Sequence, residues 1–189
     1  MKTFFSALRL LVVLIALTGA AYPLLVTMFA SAMPEPANGS LIRAADGRIV
    51  GSALIQQNFT QPKYFHGRPS AVDFSKPDGL LGAGGSHLSP NSAALKDAAD
   101  KRAVELRKTE GLAADAPVPA DLILGSASSM DPDISPEAAL FQVPRVAKAR
   151  GVDEARILEL VTKNTVAGGV LGPAVVNVLK LNLELDAAK

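Results

Sequence analysis

The sequence predicts an α+β protein in which a single N-terminal transmembrane helix precedes one mixed α/β domain. The chain has 189 residues, of which 49% are hydrophobic, so it is too apolar for a disordered chain and has room for one domain besides a membrane span. The apolar residues are concentrated at one end, because residues 10–32 carry no charge and no acidic residue precedes Glu35. Further along the chain, hairpin signals alternate with helix signals, which is typical of a mixed domain.

The uncharged stretch 10–32 is long enough to cross a membrane. As an α-helix it would extend about 34 Å at ~1.5 Å per residue, compared with a hydrocarbon core of ~30 Å. A cleaved signal peptide is the alternative, because Ala30-Ser31-Ala32 resembles a cleavage site, but the apolar part of a signal peptide is normally only ~7–15 residues long. A retained anchor is therefore favoured, with a kink expected at Pro23.

The charges around this stretch predict its orientation. Lys2 and Arg9 lie on its N-terminal side, whereas Glu35 is the first charge on the other side. Because positively charged flanks stay in the cytoplasm, we expect the N-terminus inside the cell. The predicted organisation is residues 1–9 in the cytoplasm, 10–32 in the membrane and 33–189 exported, which in a bacterial inner membrane means a periplasmic domain.

The exported part begins with a predicted β-hairpin. Asp46-Gly47 separates two short apolar runs between residues 40 and 55, and Asp-Gly is a common hairpin turn. Residues 56–91 follow without a clear period and contain repeated prolines and glycines. A connection of this length usually carries function or docks on another surface.

Residues 92–110 are predicted to form a helix, with Asn91 as its N-cap and Gly111 at its end. The apolar positions of this helix are mostly small, so we expect it to pack lightly. Residues 117–124 read as an extended segment that enters a strand.

Ser135-Pro136-Glu137 predicts the start of another helix, with serine as N-cap and proline in the first helical position. Pro144 is expected to end or kink this helix. Asp153 is expected to cap a further helix over residues 154–164.

The C-terminal run 175–186 is ambiguous. Leucines alternate with polar residues along it, which favours a strand. The preceding Pro173 and the content of leucine, glutamate and alanine favour a helix. We favour the helix.

Composition and missing motifs exclude several classes of function. The chain has no cysteine, which excludes thiol catalysis, disulfides and cysteine-ligated metals. Without Lys2 and Arg9, the 19 basic residues fall to 17, against 18 acidic residues, so the exported part is near neutral and gives no reason to expect nucleic-acid binding. The sequence also lacks a P-loop, the phosphorylation sequence of a P-type pump and the filter sequence of potassium channels.

The remaining polar clusters only partly match known sites. The serine-rich turn 125–129 fails the G-x-S-x-G pattern of serine hydrolases, and neither His66 nor His87 lies in a recognisable triad context. Residues 131–142 start like a calcium loop, but Pro136 and Gln142 stand where glycine and glutamate are needed. A polar turn that caps a helix is therefore the favoured interpretation, no metal site is predicted, and His66 is expected to be structural or interfacial. The serines of the serine-rich turn are Ser126, Ser128 and Ser129, and the polar turn contains Asp131, Asp133, Ser135 and Glu137.

Several stretches, in this order along the chain, resemble the C subunit of the Kdp potassium-transporting ATPase, a P-type ATPase complex. The stretches are Tyr64–Ala71 (YFHGRPSA), Gly84–Ser86 (GGS), Ser126–Pro136 (SASSMDPDISP), Gln142–Arg150 (QVPRVAKAR) and Val176–Asn182 (VNVLKLN). Combined with the N-terminal span, they extend the resemblance over nearly the whole chain. Three positions depart from the family: His87 stands where asparagine is usual, Ser129 where glycine is usual and Asp133 where histidine is usual.

The resemblance implies a non-catalytic accessory subunit of a high-affinity potassium pump in the bacterial inner membrane. Its implied partners are a channel-like potassium-binding subunit, a P-type ATPase subunit and a small single-span subunit. The family is described as an assembly factor and as a catalytic chaperone that raises the affinity of the ATPase subunit for ATP. No cofactor of its own is implied, and ATP would be reached only through the ATPase subunit.

An exported domain and cytoplasmic ATP lie on opposite sides of the membrane, so direct ATP contact by this domain is not expected. If contact does occur, the candidates by chemical type are Gln142, Arg145 and the loop 82–86 with Gly84 and Gly85. The alternative for Gln142 and Arg145 is that they tie their helix to neighbouring backbone. The glycine-rich loop is either a docking loop or a phosphate nest, of which the docking loop is favoured.

One other function stays open from the residues alone. A membrane-anchored exported enzyme, resembling a serine hydrolase, could use the serine-rich turn. Purification in mild detergent separates this alternative from an accessory subunit, because only the latter should co-purify with pump subunits.

Overall fold

The computed structural model describes residues 1–44, 46–72, 83–170 and 172–188. The chain divides into two compact units, Met1–Leu41 and Ile42–Lys189.

The first unit is almost entirely one apolar helical segment, Lys2–Ser31, with a mean hydropathy of 2.3 in its most apolar window. It is built from α1 (Lys2–Ala16), a π-helical turn (Leu17–Ala21) and α2 (Tyr22–Ser31), and a single helical turn, α3 (Pro34–Ala37), follows. None of its residues is buried within the chain. By length and composition, this segment is the one helix among the described residues that could cross a membrane.

The π-helical turn accommodates Pro23. Proline lacks an N–H group and its ring displaces the carbonyl four residues earlier, so the regular hydrogen-bond pattern cannot continue through it. A π-helical turn shifts that pattern immediately before the proline. The hydroxyl of Thr18 also donates to the carbonyl oxygen of Leu14 at 2.7 Å. The helical segment therefore passes Pro23 without ending.

The predicted hairpin is confirmed. Strands β1 (Leu41–Arg43) and β2 (Ile49–Ser52) form a two-stranded sheet. In its turn, Gly47 has a φ of +82°, and the backbone N–H of Arg48 donates to Asp46 Oδ1 at 2.9 Å. Glycine favours this turn because a side chain rarely adopts such a positive φ.

The rest of the second unit packs helices around a three-stranded antiparallel sheet of order β3-β5-β4, with Ile134 opposite Val176 and Thr165 opposite the same residue on the other side. Its elements are α4 (Ala93–Glu110), α5 (Ala120–Ile123), β3 (Asp133–Ile134), α6 (Pro136–Arg150), α7 (Glu154–Asn164), β4 (Thr165–Val166), β5 (Val175–Asn177) and α8 (Val178–Ala187).

The core lies between α6, α7, α8 and the sheet. Phe65, from the connection between β2 and α4, is also fully buried in it. Helix α4 contributes one buried side chain, Ala103, so the expectation of light packing is confirmed. The core residues are Phe65, Leu122, Ile134, Ala138, Ala139, Val143, Val146, Ala147, Ile157, Val161, Val176, Val178, Leu181 and Leu185.

Most of the helix ends follow the predicted capping chemistry. Ser135 Oγ accepts from Ala138 N at 3.1 Å and Asp153 Oδ1 accepts from Ala155 N at 2.9 Å. Helix α4 ends at Gly111, where φ is +70°. The N-cap of α4, however, is Ser92 and not Asn91.

The prediction of a strand over residues 117–124 is wrong. Residues Ala120–Ile123 form the helical turn α5, which buries Leu122 against the core. Pro119, with φ fixed at −62°, precedes this turn, and its carbonyl oxygen accepts from Leu122 N at 3.2 Å. The local backbone geometry of a proline and the burial of one leucine therefore outweigh the extended pattern.

Of the two expected effects of Pro144, an end of the helix does not occur, because α6 runs from Pro136 to Arg150. Pro144 and Leu140, whose carbonyl loses its helical partner to the proline, both lie on the exposed face of α6. Water can satisfy that carbonyl, so the helix tolerates the proline there.

The ambiguous run 175–186 contains both alternatives. It begins as strand β5 and continues as helix α8. Asn177 separates the two, because its Oδ1 accepts from Lys180 N at 3.2 Å and thus caps the helix. The preference for helix is correct for most of the run and misses its first three residues.

Candidate functional site

Helix α6 places Gln142 and Arg145 three residues apart on its inner face, where they are 1% and 9% exposed. The side-chain amide of Gln142 pairs with the backbone of His66: Oε1 accepts from His66 N at 2.8 Å, and Nε2 donates to His66 O at 3.1 Å. Arg145 Nη2 donates to the same Oε1 at 2.7 Å. The two candidate residues therefore form one hydrogen-bond network with each other and with the backbone of the loop that contains His66.

Arg145 extends this network to two further segments. Its Nη1 donates to the carbonyl oxygens of Pro62 and Tyr64, the latter at 2.9 Å, and its Nε donates to Glu110 Oε1 at 2.7 Å. One guanidinium thus joins α6, the loop 62–66 and the C-terminal end of α4. This is the helix-to-backbone tie considered from the sequence, enlarged by a carboxylate that the sequence did not indicate.

Arg145 and Glu110 form a buried ion pair, with side chains that are only 7% and 3% exposed. Burial raises the pKa of Glu110 above its ordinary value, while the hydrogen bond and the charge of Arg145 oppose the rise. Since the folded state then holds the Glu110 proton more tightly than the unfolded chain, ionisation of Glu110 lowers stability as the pH rises through its pKa. Removal of Arg145 would remove the opposing interaction and enlarge this effect.

Gly84 and Gly85 belong to a second cluster, in which the glycine-rich loop lies against the serine-rich turn. The backbone N–H of Gly84 donates to Ser128 O at 3.1 Å, and Ser129 Oγ donates to Gly84 O at 2.6 Å. The same hydroxyl oxygen accepts from Ala71 N at 3.0 Å. Ser129 is fully buried, so it connects three chain segments inside the domain.

Gly85 is required by close approach of two backbones. A Cβ atom at this position would lie 2.9 Å from the carbonyl oxygen of Ala127, a distance that real Cβ atoms do not adopt. At Gly84 the nearest atom would be His87 Nε2 at 3.7 Å, an ordinary contact. The loop therefore docks on the serine-rich turn through Gly85. Gly82, the first residue of the predicted loop, lies outside the described residues.

Two of the three departures from the family fall at left-handed backbone positions. Ser129 has a φ of +60° and His87 a φ of +53°. Glycine and asparagine, which the resemblance leads one to expect there, adopt this conformation most readily. At Ser129 the strain is accompanied by the two hydrogen bonds of its hydroxyl, which glycine could not form.

The serines and histidines do not form a nucleophile and base pair within the described part of the chain. Ser126 Oγ lies 3.1 Å from Ser128 Oγ, which also accepts from Met130 N. His66 Nε2 lies 3.2 Å from Gln61 O. Burial, followed by the charge of Arg145, lowers the pKa of His66, which favours the neutral ring.

Two acidic residues of the predicted polar turn, Asp131 and Asp133, have structural partners. Asp131 forms an ion pair with Arg68 at 2.7 Å, and Asp133 Oδ1 accepts from Asn177 Nδ2 at 2.8 Å. Among the described residues, no three His, Cys, Asp or Glu side chains are grouped to hold a metal ion.

One feature was missed from the sequence: a groove of about 640 Å³ between the segment 56–60, the segment 66–72 and helix α4, with Leu122 and Gln142 also lining it. Hereafter this is called the groove. Its charged lining residues are Arg68, Arg102 and Glu105. The only sequence signal is the uncharged polar run Gln56-Gln57-Asn58 inside the stretch without periodicity.

Over the residues that the structure describes, the fold and these clusters define a class: a protein with one helix long and apolar enough to span a membrane and an α+β domain whose candidate polar residues are bonded within the chain. Comparison with known sequences is more specific. A family model described as "KdpC: K+-transporting ATPase, c chain" matches residues 4–187. The chain therefore belongs to the KdpC family, the C subunits of the potassium-transporting ATPase.

Individual relatives agree with this assignment. A potassium-transporting ATPase KdpC subunit of Rhodopseudomonas palustris (strain BisB18) is 51% identical in an alignment of 202 positions, gaps included, which covers 100% of both chains. One from Rhodopseudomonas palustris (strain TIE-1) is 52% identical over 94% of this chain and 93% of the relative. One from Burkholderia mallei (strain SAVP1) is 50% identical over 100% of this chain and 98% of the relative.

Proposed function

We propose that this chain is an accessory subunit of an ATP-driven potassium pump and that it contributes by binding, without chemistry of its own. The observation that carries the proposal is the family match over residues 4–187, which includes both the apolar helix and the domain. A subunit that binds only the assembled state shifts the equilibrium towards that state by mass action.

The proposed partners are a channel-like potassium-binding subunit, a P-type ATPase subunit and a small single-span subunit, all in the bacterial inner membrane. The apolar helix supports this location, because its leucine, valine and phenylalanine side chains are exposed in the isolated chain. We propose that Lys2 and Arg9 keep the N-terminus in the cytoplasm and that the domain is periplasmic.

The proposed orientation separates the domain from cytoplasmic ATP. A role in raising the ATP affinity of the ATPase subunit would then act through the assembled complex, and the chain would hold no nucleotide itself. The internal hydrogen bonds of Gln142 and Arg145, and the close backbone approach at Gly85, support structural roles for these candidate residues.

Two measurements test the proposal. Purification of the full chain from its native membrane in mild detergent is expected to yield a stoichiometric complex with pump subunits. A monodisperse single chain that reacts with a serine-directed probe would contradict it and favour the exported enzyme.

Sidedness is tested by protease treatment of intact spheroplasts. We expect the domain to be degraded while a cytoplasmic control protein survives. Protection of the domain until the cells are permeabilised would place it on the ATP side and contradict the proposed orientation.

A further inference from the structure

We propose that residues 86–119, which contain helix α4, form a strap that opens from the domain as one unit while the core stays folded. Hereafter these residues are called the strap. The inference concerns a motion within this chain and does not depend on the proposed function. Three observations carry it: the core is complete without the strap, few contacts hold the strap between its two ends, and its helix has a composition that favours helix without packing.

The core is complete without the strap. Among the described residues, no member of the core cluster comes from α4, and the partly buried residues around that cluster include Leu106 from this helix. The buried side chain of α4, Ala103, is small and lies outside the cluster. Opening of the strap therefore exposes little apolar surface, and its free energy is expected to lie far below that of unfolding the core.

The strap is fixed at both ends by contacts that do not involve α4. On its N-terminal side, Gly85 lies against the backbone of the serine-rich turn. On its C-terminal side, Leu122 is buried in the core. The joints between these fixed points and the helix, residues 86–91 and 111–115, are exposed. They can change conformation without losing burial, so the middle of the segment can move while its ends stay in place.

Among the described residues, two polar contacts connect α4 with the rest of the domain. Arg102 Nη1 donates to Ile123 O at 3.1 Å, and Arg145 Nε donates to Glu110 Oε1 at 2.7 Å. Arg145 keeps its three other acceptors when the strap opens, because all of them lie outside the strap. Opening carries Glu110 into water, so it does not leave a buried carboxylate without a partner. Both contacts can therefore be broken and remade without disturbing the core.

Helix α4 has the composition of a helix that forms without support from a core. Its 18 residues are mainly alanine, leucine, lysine, glutamate and arginine, which favour helix. Lys96 pairs with Asp100 one turn further on, at 2.6 Å, and Gly111 ends the helix with a φ of +70°. We therefore expect the strap to move as a helix with two loops and not as unfolded chain.

Opening of the strap changes the shape of the groove. Helix α4 forms one wall of the groove through Arg102, Glu105 and Leu106, whereas the segments 56–60 and 66–72 on the other walls lie outside the strap. The strap is thus a movable wall, and its opening widens the groove.

The absence of cysteine from the chain allows a test with one introduced thiol at a time. Ala103→Cys places the thiol beneath α4 and Ala147→Cys places it in the core, at positions that are 7% and 2% exposed. The full chain in mild detergent is treated with excess thiol reagent, and modification is followed by mass spectrometry. We expect the Ala103→Cys variant to react at least about a hundredfold faster, because it requires only opening of the strap. Equal rates would overturn the inference.

A substitution in the core separates opening of the strap from unfolding of the domain. Ile157→Val shortens a core side chain of α7 that is 2% exposed. We expect it to raise the reaction rate of Ala147→Cys several-fold and to leave that of Ala103→Cys unchanged, since the strap does not use this contact. An equal rise in both rates would mean that Ala103→Cys reacts only through unfolding of the core, which would overturn the inference.

A matched pair on α4 tests what holds the strap closed. Leu106→Ala removes the side chain that packs against the core, whereas Val104→Ala truncates a side chain that is 65% exposed. We expect Leu106→Ala to raise the reaction rate of Ala103→Cys about tenfold and Val104→Ala to leave it unchanged. The same rate for both variants would contradict a strap closed by this contact.

Hydrogen exchange of the unaltered full chain provides a measurement that requires no variant. We expect the backbone amides of α4 to exchange through an opening whose free energy is well below that for the amides of α6 and α7. The same free energy in all three helices would show that the strap opens only when the core unfolds, and would overturn the inference. None of these outcomes bears on the proposed function, which is tested by co-purification with pump subunits.

Discussion

The apolar helix and the domain use apolar side chains in opposite ways. Along Lys2–Ser31, large apolar residues such as Leu24 and Phe29 are 70% and 64% exposed, and no residue is buried. In the domain, Phe65 and Leu181 are both 0% exposed. The domain covers its own core, whereas the helix requires lipid or a partner to cover it. Its exposed surface is the physical reason to regard it as an anchor.

Polar groups show the same contrast. In the helix, the hydroxyl groups of Thr18 and Thr27 donate to backbone carbonyls four residues earlier. In the domain, polar side chains connect segments far apart in sequence, as Arg145 does with Glu110. A substitution in the helix therefore changes how favourably the helix is placed in lipid or against a partner. A substitution in the domain changes the stability of the fold by removing the interaction with a specific residue.

The largest expected effect tests the helix. Val13→Arg places a charge in the middle of the predicted span, which costs ~2.5–3.5 kcal/mol on insertion scales. We expect a strong loss of membrane-bound, assembled protein, measured by fractionation and co-purification. Val104→Arg makes the same chemical change on exposed α4, where Val104 is 65% exposed, and should be tolerated. Insertion of the Val13 variant at wild-type yield would mean that the helix is not the anchor.

The next effect tests the buried network of the domain. Arg145→Ala leaves the Glu110 carboxylate buried without its partner, which typically costs ~3–5 kcal/mol. Urea unfolding of the full chain in detergent, followed by circular dichroism, measures the loss. Arg48→Ala removes a surface ion pair whose side chains are 76% and 61% exposed and should cost less than about 1 kcal/mol. Similar losses for the two variants would argue against a specific role for burial.

A smaller effect tests the docking of the glycine-rich loop. Gly85→Ala brings a methyl group to 2.9 Å from Ala127 O and should destabilise the domain by about 1–3 kcal/mol, as overpacking does. Gly84→Ala brings the methyl group only into ordinary van der Waals contact with His87 Nε2, at 3.7 Å, and should be close to neutral. The same unfolding assay compares them, and a reversed order would show that the close backbone approach is absent.

The smallest effect concerns Ser129. Ser129→Ala loses two hydrogen bonds and keeps the strained φ of +60°, whereas Ser129→Gly loses the same bonds but relieves the strain. We expect the glycine variant to be more stable than the alanine variant by about 1 kcal/mol, since the left-handed conformation costs an ordinary residue roughly that amount. Equal stabilities would exclude backbone strain as a contribution.

Local signals in the sequence predicted much of the fold. The Asp46-Gly47 turn and the caps Ser135 and Asp153 depend on neighbouring residues only, and each is found where expected. The uncharged stretch is helical as expected, although the apolar helix, Lys2–Ser31, begins earlier than residue 10. Pro144 does not end α6, because the proline lies on the solvated face of that helix. Residues 120–123 are helical and not extended because Leu122 packs into the core, a contact that the local sequence does not reveal.

The candidate site was less predictable, because its partners are distant in sequence. Gln142 and Arg145 could be singled out by chemical type, but their partners His66 and Glu110 lie 76 and 35 residues away. The groove is assembled from segments that share no local motif, so neither Arg68 nor Arg102 could be assigned to it from the sequence alone.

The central claim, that the subunit acts by binding and carries no chemistry, is tested most directly by potassium-stimulated ATP hydrolysis per assembled complex for Ser128→Ala. Ser128 carries the exposed hydroxyl of the serine-rich turn, and the contacts of this side chain, with Ser126 and Met130, are local. We predict wild-type turnover per complex, with any loss of total activity following the yield of complex. A variant that assembles fully yet loses turnover by several orders of magnitude would contradict the account, because only a chemical role gives such a loss.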